Sequence, residues 1–327
     1  MRGRFCILLF CCLWATLAGA QRVEERYEAL TDSLRIGADR YIPYTERGYT
    51  LLLPDSGLPV TGLLICLTDR RFSTTGQDPR ALLYPHALPQ GLAVVYLSTG
   101  VPVDLYLHEA SLRYVDSQLY DVVRAHGLVE TPLLLFGSMT AGHRAMKYLE
   151  YVAEERSTWT PDLRGAAIAE SPLDWSRMWY EGRKQARDSL TPVKAFEGEL
   201  IQTLFADAWG VSPLEDPERY ADFSTYTYFA ADSGKRDAFR GYVLRAYTHM
   251  PIDYWNTLNG NGIYDCNYPD LCGLINEQHL IGNDRAELFV AEPVDRGPSY
   301  AMKSQSDTWL EVDKAELVEW ALRVLAE

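Results

Sequence analysis

Positive charge is scarce in this chain. Its 31 lysines and arginines face 45 aspartates and glutamates, a formal net charge of -14 at pH 7. That balance does not neutralise phosphates, so no nucleic acid and no anionic lipid surface is expected as a partner. Histidine is also scarce. His86, His108, His126, His143, His249 and His279 make up the whole set, and none follows residue 279. No low-complexity run or long internal repeat occurs, which excludes solenoids and propellers. A phosphate loop, a dinucleotide fingerprint and H-E-x-x-H are all missing, so no cofactor is expected. "NGNGIYD" (Asn259 to Asp265) has the outline of a calcium loop but lacks the spaced carboxylates, and it reads as a structural turn. Beyond the first twenty residues no apolar run is long enough to span a bilayer, so no integral membrane segment is expected in the rest of the chain.

The first twenty residues form a unit of their own. Arg2 and Arg4 precede the apolar run "FCILLFCCLWATL", which ends in the A-x-A sequence "AGA". This reads as a signal peptide spanning 1–20, cut before Gln21, with one domain over 21–327. Cleavage removes three of the six cysteines and leaves Cys66, Cys266 and Cys272. Cys66, inside "LLICL", reads as a buried free thiol. Cys266 and Cys272 flank the turn-rich "NYPDL", and their spacing leaves a local disulfide open in an exported protein.

Continuous apolar runs alternate with helical patterns along the rest of the chain. "TLLLP" and "GLLICLT" read as neighbouring strands joined by a turn. "GLAVVYLST", "TPLLLFGS" and "LRGAAIAES" suit strands buried on both faces of a parallel sheet. Residues 109–126 carry a helical pattern through Leu112, Val115, Leu119, Val122 and Val123. "YVLRAYT" and "AELFVAE" are later strands. A last helix follows, with Asp313 and Glu316 as a capping box and Leu317, Trp320, Ala321, Val324 and Leu325 on its apolar face. Alternation of this kind predicts an α/β fold with a mainly parallel central sheet flanked by helices. One stretch breaks the rhythm. Residues 172–240 are helical in pattern and rich in aromatics, and they read as a lid over the C-terminal strand ends.

The sharpest local signal is "LLLFGSMTAGHRAMKYLEY", an apolar run, a knot of small residues and a helical pattern. A nucleophile elbow needs small residues two positions before and after its apex, because strand and helix nearly touch there. With Ser138 at the apex the flanks are Phe136 and Thr140, both too large. With Met139 they are Gly137 and Ala141, and with Thr140 they are Ser138 and Gly142.

"GSMTAGHRAMKYLEY" resembles the elbow of α/β-hydrolases with the pattern G-x-S-x-G-G-x-R-A-L-K. It is most similar to that of a group of bacterial secreted or periplasmic α/β-hydrolase-like proteins. The match runs through Arg144, Ala145, Met146 and Lys147, which places Met139 at the nucleophile position. "AIAESPLDWSRMW", "INEQHLIGNDRAELFVAE" and "DTWLEVDKAELVEW" extend the resemblance over most of the chain from about residue 45. It implies the α/β-hydrolase fold, export to the periplasm, envelope or medium, and a Ser-His-acid triad. Asp253, in "HMPIDYW", occupies the expected acid position, with Asp174 as the alternative; either also reads as an ordinary turn or cap aspartate. The family's histidine lies in an H-S-W-like segment, which here reads D-T-W, so Asp307 takes its place. The loop after "GLLICLT", which would supply an oxyanion-hole N–H, reads T-D-R-R.

The triad is therefore expected to be degenerate at Met139, Asp253 and Asp307. The expected protein is catalytically inactive and kept as a module for a small-molecule or peptide ligand under the lid, or for a protein partner. The alternative is a serine or threonine hydrolase of esters or peptides with a rearranged site, using Ser138 or Thr140 with His249 or His143.

Overall fold

The computed structural model describes residues 22–36, 40–55, 57–188, 191–228, 235–249, 256, 262–291 and 308–327. The segment expected to be a signal peptide lies outside them. The strands are β1 (Arg22–Ala29), β2 (Ser33–Ile36), β3 (Arg40–Pro43), β4 (Glu46–Leu53), β5 (Gly62–Thr68), β6 (Leu92–Ser98), β7 (Leu133–Ser138), β8 (Leu163–Ala169), β9 (Val243–Thr248) and β10 (Ala286–Val290). The helices are α1 (Tyr84–Ala87), α2 (Glu109–Ala125), α3 (Thr140–Ala153), α4 (Trp175–Asp188), α5 (Pro192–Trp209), α6 (Pro217–Phe223), α7 (Lys235–Ala238), α8 (Tyr268–Leu280), α9 (Thr308–Glu311) and α10 (Lys314–Leu325).

Eight strands form one sheet in the order β1-β4-β6-β5-β7-β8-β9-β10, and β2 pairs with β3 in a separate ribbon. β4 runs antiparallel to both its neighbours, and every pair from β6 to β10 is parallel. The mainly parallel, helix-flanked sheet expected from the sequence is present. One neighbour relation differs. β4 and β5 were expected to lie side by side, but β6 comes between them and takes β4 antiparallel and β5 parallel. β5 is apolar along nearly all its length and β4 through Leu51–Leu53, so neither pattern says which edge faces which.

The apolar runs are continuous because alternate residues feed two cores. Leu63, Ile65 and Leu67 of β5 join Leu133 and Leu135 of β7 beneath α2, α3 and α8. Leu64, Leu134 and Phe136 point the other way, onto Leu317, Trp320 and Val324 of α10. Full burial of each such side chain contributes roughly 1.5–3 kcal/mol. Asp313 caps α10 by accepting from the N–H groups of Ala315 and Glu316. The expected capping box is not closed by Glu316, whose carboxylate instead accepts from Arg245 Nη1 at 2.9 Å. Arg245 is a buried guanidinium on β9 and needs that charge more than the helix end does.

Residues between β8 and β9 form α4 to α7. Trp175, Phe205, Tyr220 and Phe223 give this insertion a small core, joined by Leu105 from the segment after β6. α4 and α5 meet at paired glycines. A Cβ on Gly198 would sit 2.4 Å from the carbonyl oxygen of Gly182, so only glycine allows that approach. Cys266 and Cys272 are free thiols, so the disulfide left open by their spacing is not formed; Cys66 is free as well. Among the described residues no helix is long and apolar enough to cross a membrane.

Candidate functional site

β7 ends at Ser138, which pairs with Ala169, the last residue of β8. The next residue on each strand leaves the sheet with a positive φ, Met139 at 52° and Glu170 at 46°. Met139 donates its N–H to Ala169 O at 2.9 Å, and its carbonyl accepts from the N–H groups of Gly142 and His143. α3 therefore starts immediately, with no connecting loop. A Cβ on Gly137 would lie 2.4 Å from the Ala141 carbonyl, and one on Gly142 would lie 1.8 Å from Ser171 Oγ. A methionine held at φ 52°, ψ -130° costs of order 1–3 kcal/mol of backbone strain. The packing of small residues around it sustains that cost.

Met139 is 47% exposed and faces a cleft of about 410 Å³ between the strand ends and the insertion. Asp69 and Arg70, just past β5, and Glu170, just past β8, share its wall with α4 and α5. Asp69 Oδ2 accepts from Val103 N at 3.0 Å and faces Arg144 Nη2 at 3.5 Å. Arg144 is almost fully buried. It donates through Nε to Asp104 O and through Nη2 to Thr140 Oγ1 at 3.2 Å. The first N–H groups of a helix, here those of Thr140 and Ala141, lack an intrahelical acceptor and suit an anion. The loop that should add a second donor carries Asp69, whose carboxylate is turned to Val103 N and Arg144.

The other candidates fall at different places. Ser138 is half-buried at the end of β7, and Thr140 opens α3. His143 is fully buried, with Nε2 on Leu105 O at 3.1 Å and Nδ1 accepting from Trp175 Nε1 at 3.1 Å. Both ring nitrogens are thus spent tying the insertion to the sheet. His249 follows β9 and bonds through Nδ1 to Ala291 O at 2.9 Å, and its buried Nε2 has no partner. Asp174 is buried and accepts from the N–H groups of Arg177 and Tyr228, a capping role away from the apex; burial pushes its carboxyl up. Asp253 and Asp307 lie outside the described residues.

Cys266 also lines the cleft, but burial pushes its thiol up to about 11, the reverse of an activated nucleophile. Among the described residues no group of three or more His, Cys, Asp or Glu stands where it could hold a metal ion.

Glu170 is the site residue that the sequence reading passed over. Its Oε2 accepts from Thr308 Oγ1 at 2.8 Å, Thr248 Oγ1 at 3.1 Å and His249 N at 3.2 Å. Burial raises its carboxyl pKa, while the three donors pull the other way. The signal was present in "AIAES", where Glu170 is the first polar residue after a doubly buried strand. Strand ends at the C-terminal edge are where such sheets place ligands.

No family model matches this chain, and no curated protein sequence does. Solved structures do match. An S-formylglutathione hydrolase from Agrobacterium tumefaciens aligns over 93% of this chain and 95% of its own, with a TM-score of 0.51 and 14% identity. The Pyrococcus horikoshii acylaminoacyl peptidase aligns over 95% of this chain at 11% identity and a TM-score of 0.49; this chain spans only 42% of that protein's length. The rice cell wall degrading esterase of Xanthomonas oryzae aligns over 85% of each chain at 13% identity and a TM-score of 0.46. Identity this low speaks to architecture alone, and the architecture is plain: the chain has the α/β-hydrolase fold.

Proposed function

We propose that this is an exported α/β-hydrolase-fold protein that binds a ligand in the cleft over Met139, beneath a helical lid formed by the insertion, without hydrolysing it. One observation carries the reading: a methionine stands at the apex of the turn after β7, where such folds hold their nucleophile. A thioether has no proton to give up and is a weak acceptor, so it cannot form an acyl intermediate. Losing the nucleophile alone costs serine hydrolases on the order of a million-fold in turnover. The ring nitrogens of His143, both engaged in structural bonds, support the same conclusion. Export rests on the charged start, apolar run and A-x-A end of the first twenty residues.

The test is hydrolysis of nitrophenyl esters and aminopeptidase-type anilides by the purified protein. The expected result is background turnover that Met139→Ala leaves unchanged. Turnover abolished by Thr140→Ala or Ser138→Ala but untouched by Met139→Ala would establish a rearranged hydrolase instead.

A further inference from the structure

The carboxylates around the cleft differ in what neutralises them. Asp265 holds Lys184 at 2.5 Å, Glu197 holds Lys194 at 2.8 Å, and Glu181 holds Arg177 at 3.1 Å. Among the described residues Glu170 has no such partner. Among the described residues its contacts are two hydroxyls and one backbone N–H, all on Oε2. The neighbouring ring of His249 is turned to Ala291 O. The Glu170 backbone is fixed too. Its N–H donates to Tyr247 O, and its carbonyl accepts from Asn267 Nδ2. Oε1 accepts nothing from the described residues, which leaves one anionic oxygen for an occupant of the cleft.

A second acceptor in the same lining lacks a donor. Gln185 is 7% exposed, and its Nε2 donates to Glu181 Oε1 at 2.7 Å, which fixes the amide's orientation. Its Oε1 has no partner. Both observations call for a ligand that supplies donors rather than acceptors. The lining also offers apolar surface, with Leu105, Met139, Trp175 and Ile201 among it, beside charged residues such as Arg70 and Lys194.

Resting on the ligand-binding reading above, we propose that the cleft takes a molecule carrying a primary ammonium group on an apolar body, with the ammonium on Glu170 Oε1. An ammonium brings three donors, no acceptor and the charge that Glu170 lacks. An alcohol of the same shape satisfies the hydrogen bond but not the charge, and a carboxylate opposes both. The acidic chain as a whole draws cations toward the site.

The experiment is calorimetric titration of the purified protein at pH 7.5 with 4-phenylbutylammonium, 4-phenylbutanol and 4-phenylbutyrate. The ammonium should bind at least tenfold more tightly than the alcohol, with no measurable binding of the carboxylate. Glu170→Gln keeps an acceptor for Thr248 and Thr308, and it should lower the ammonium affinity at least tenfold while leaving the alcohol unchanged. If that variant fails to fold, Met139→Lys tethers a competing ammonium at an exposed position beside Glu170. It should abolish binding of the ammonium probe, whereas Met139→Leu should keep it. Equal affinities across the series, tighter carboxylate binding, no saturable ammonium binding, or a Glu170→Gln or Met139→Lys protein with unchanged ammonium affinity would each overturn the proposal. Charge-blind binding would sink the ammonium assignment but leave the ligand-binding reading intact. Ester turnover would do the opposite.

Discussion

Met139 and Glu170 stand at the ends of adjacent parallel strands, with nearly the same strained φ, and their turns are held by different means. The turn after β7 is held by main-chain hydrogen bonds and by glycines that let α3 press onto the sheet. The Met139 side chain donates nothing and accepts nothing that the geometry depends on. The turn after β8 has main-chain bonds to Tyr247 and Asn267 and adds a side-chain anchor, since one oxygen of Glu170 gathers donors from β9, His249 N and α9. A backbone shaped for a nucleophile can thus be maintained by packing, whatever side chain stands at the apex. A carboxylate wall cannot.

The two turns touch at Gly142 and Ser171, and the largest expected effect comes from forcing them apart. Gly142→Val would drive a branched side chain into Ser171 Oγ, 1.8 Å from the nearest Cβ position. Overpacking at such a contact should cost about 3 kcal/mol, read as a lowered urea midpoint at constant slope. A loss below about 1 kcal/mol would show that the turns are not locked together.

A somewhat smaller effect separates the turns by charge. The segment after β8 carries the half-buried Glu170 and the buried Asp174 and Glu181, all raised by desolvation, and Glu181 reaches about 7 from an ordinary 4.5. The Arg177 guanidinium at 3.1 Å pulls Glu181 down but does not offset its desolvation. Below about 7 the folded chain takes up a proton on Glu181 that the unfolded chain still releases. Stability from this group therefore rises as pH falls from about 7 toward 4.5 and is absent above that window. Glu181→Gln lacks this gain. Its stability relative to wild type should fall by about 2 kcal/mol between pH 8 and pH 5 in paired denaturant titrations. A difference independent of pH would mean that Glu181 stays charged in the fold.

How much of this was legible in the sequence follows the same division. The elbow was readable because steric crowding restricts Gly137, Ala141 and Gly142 to small residues, and a composition rule captures crowding. The buried strands and the apolar face of α10 were readable because burial on both faces, or at helical spacing, leaves a periodic mark. Strand adjacency was not, since the apolar runs of β4 and β5 carry no mark of their neighbours and their order depends on a long-range pairing with β6. β1 to β3 carry mixed polar residues and gave no strand signal. Glu170 was missed in favour of Asp174, four residues on, because hydrogen bonds from Thr248 and Thr308 are tertiary facts that local spacing does not encode. Glu316 likewise fitted a capping motif, but a buried arginine from another strand claimed it.

The smallest effect tests the comparison most directly, because it makes the same backbone change on both strands. Glycine at either position relieves the positive-φ strain, worth about 1 kcal/mol, and adds unfolded-chain entropy of similar size. At Met139 little else is lost, since the side chain is half exposed and makes no structural hydrogen bond. Met139→Gly should therefore leave stability within about 0.5 kcal/mol of wild type. At Glu170 the same change strips the acceptor from Thr248, Thr308 and His249 N, and water entering from the cleft replaces it only in part. Glu170→Gly should fall below Met139→Gly by about 1–2 kcal/mol at pH 7, measured as the gap between their denaturant midpoints. The gap should widen as pH falls, because burial raises the Glu170 carboxyl and the folded Met139→Gly chain takes up a proton there that its unfolded chain still releases. Two glycine variants of equal stability would mean that the β8 turn, like the β7 turn, is held by its main chain, and that Glu170 is free to serve the cleft alone.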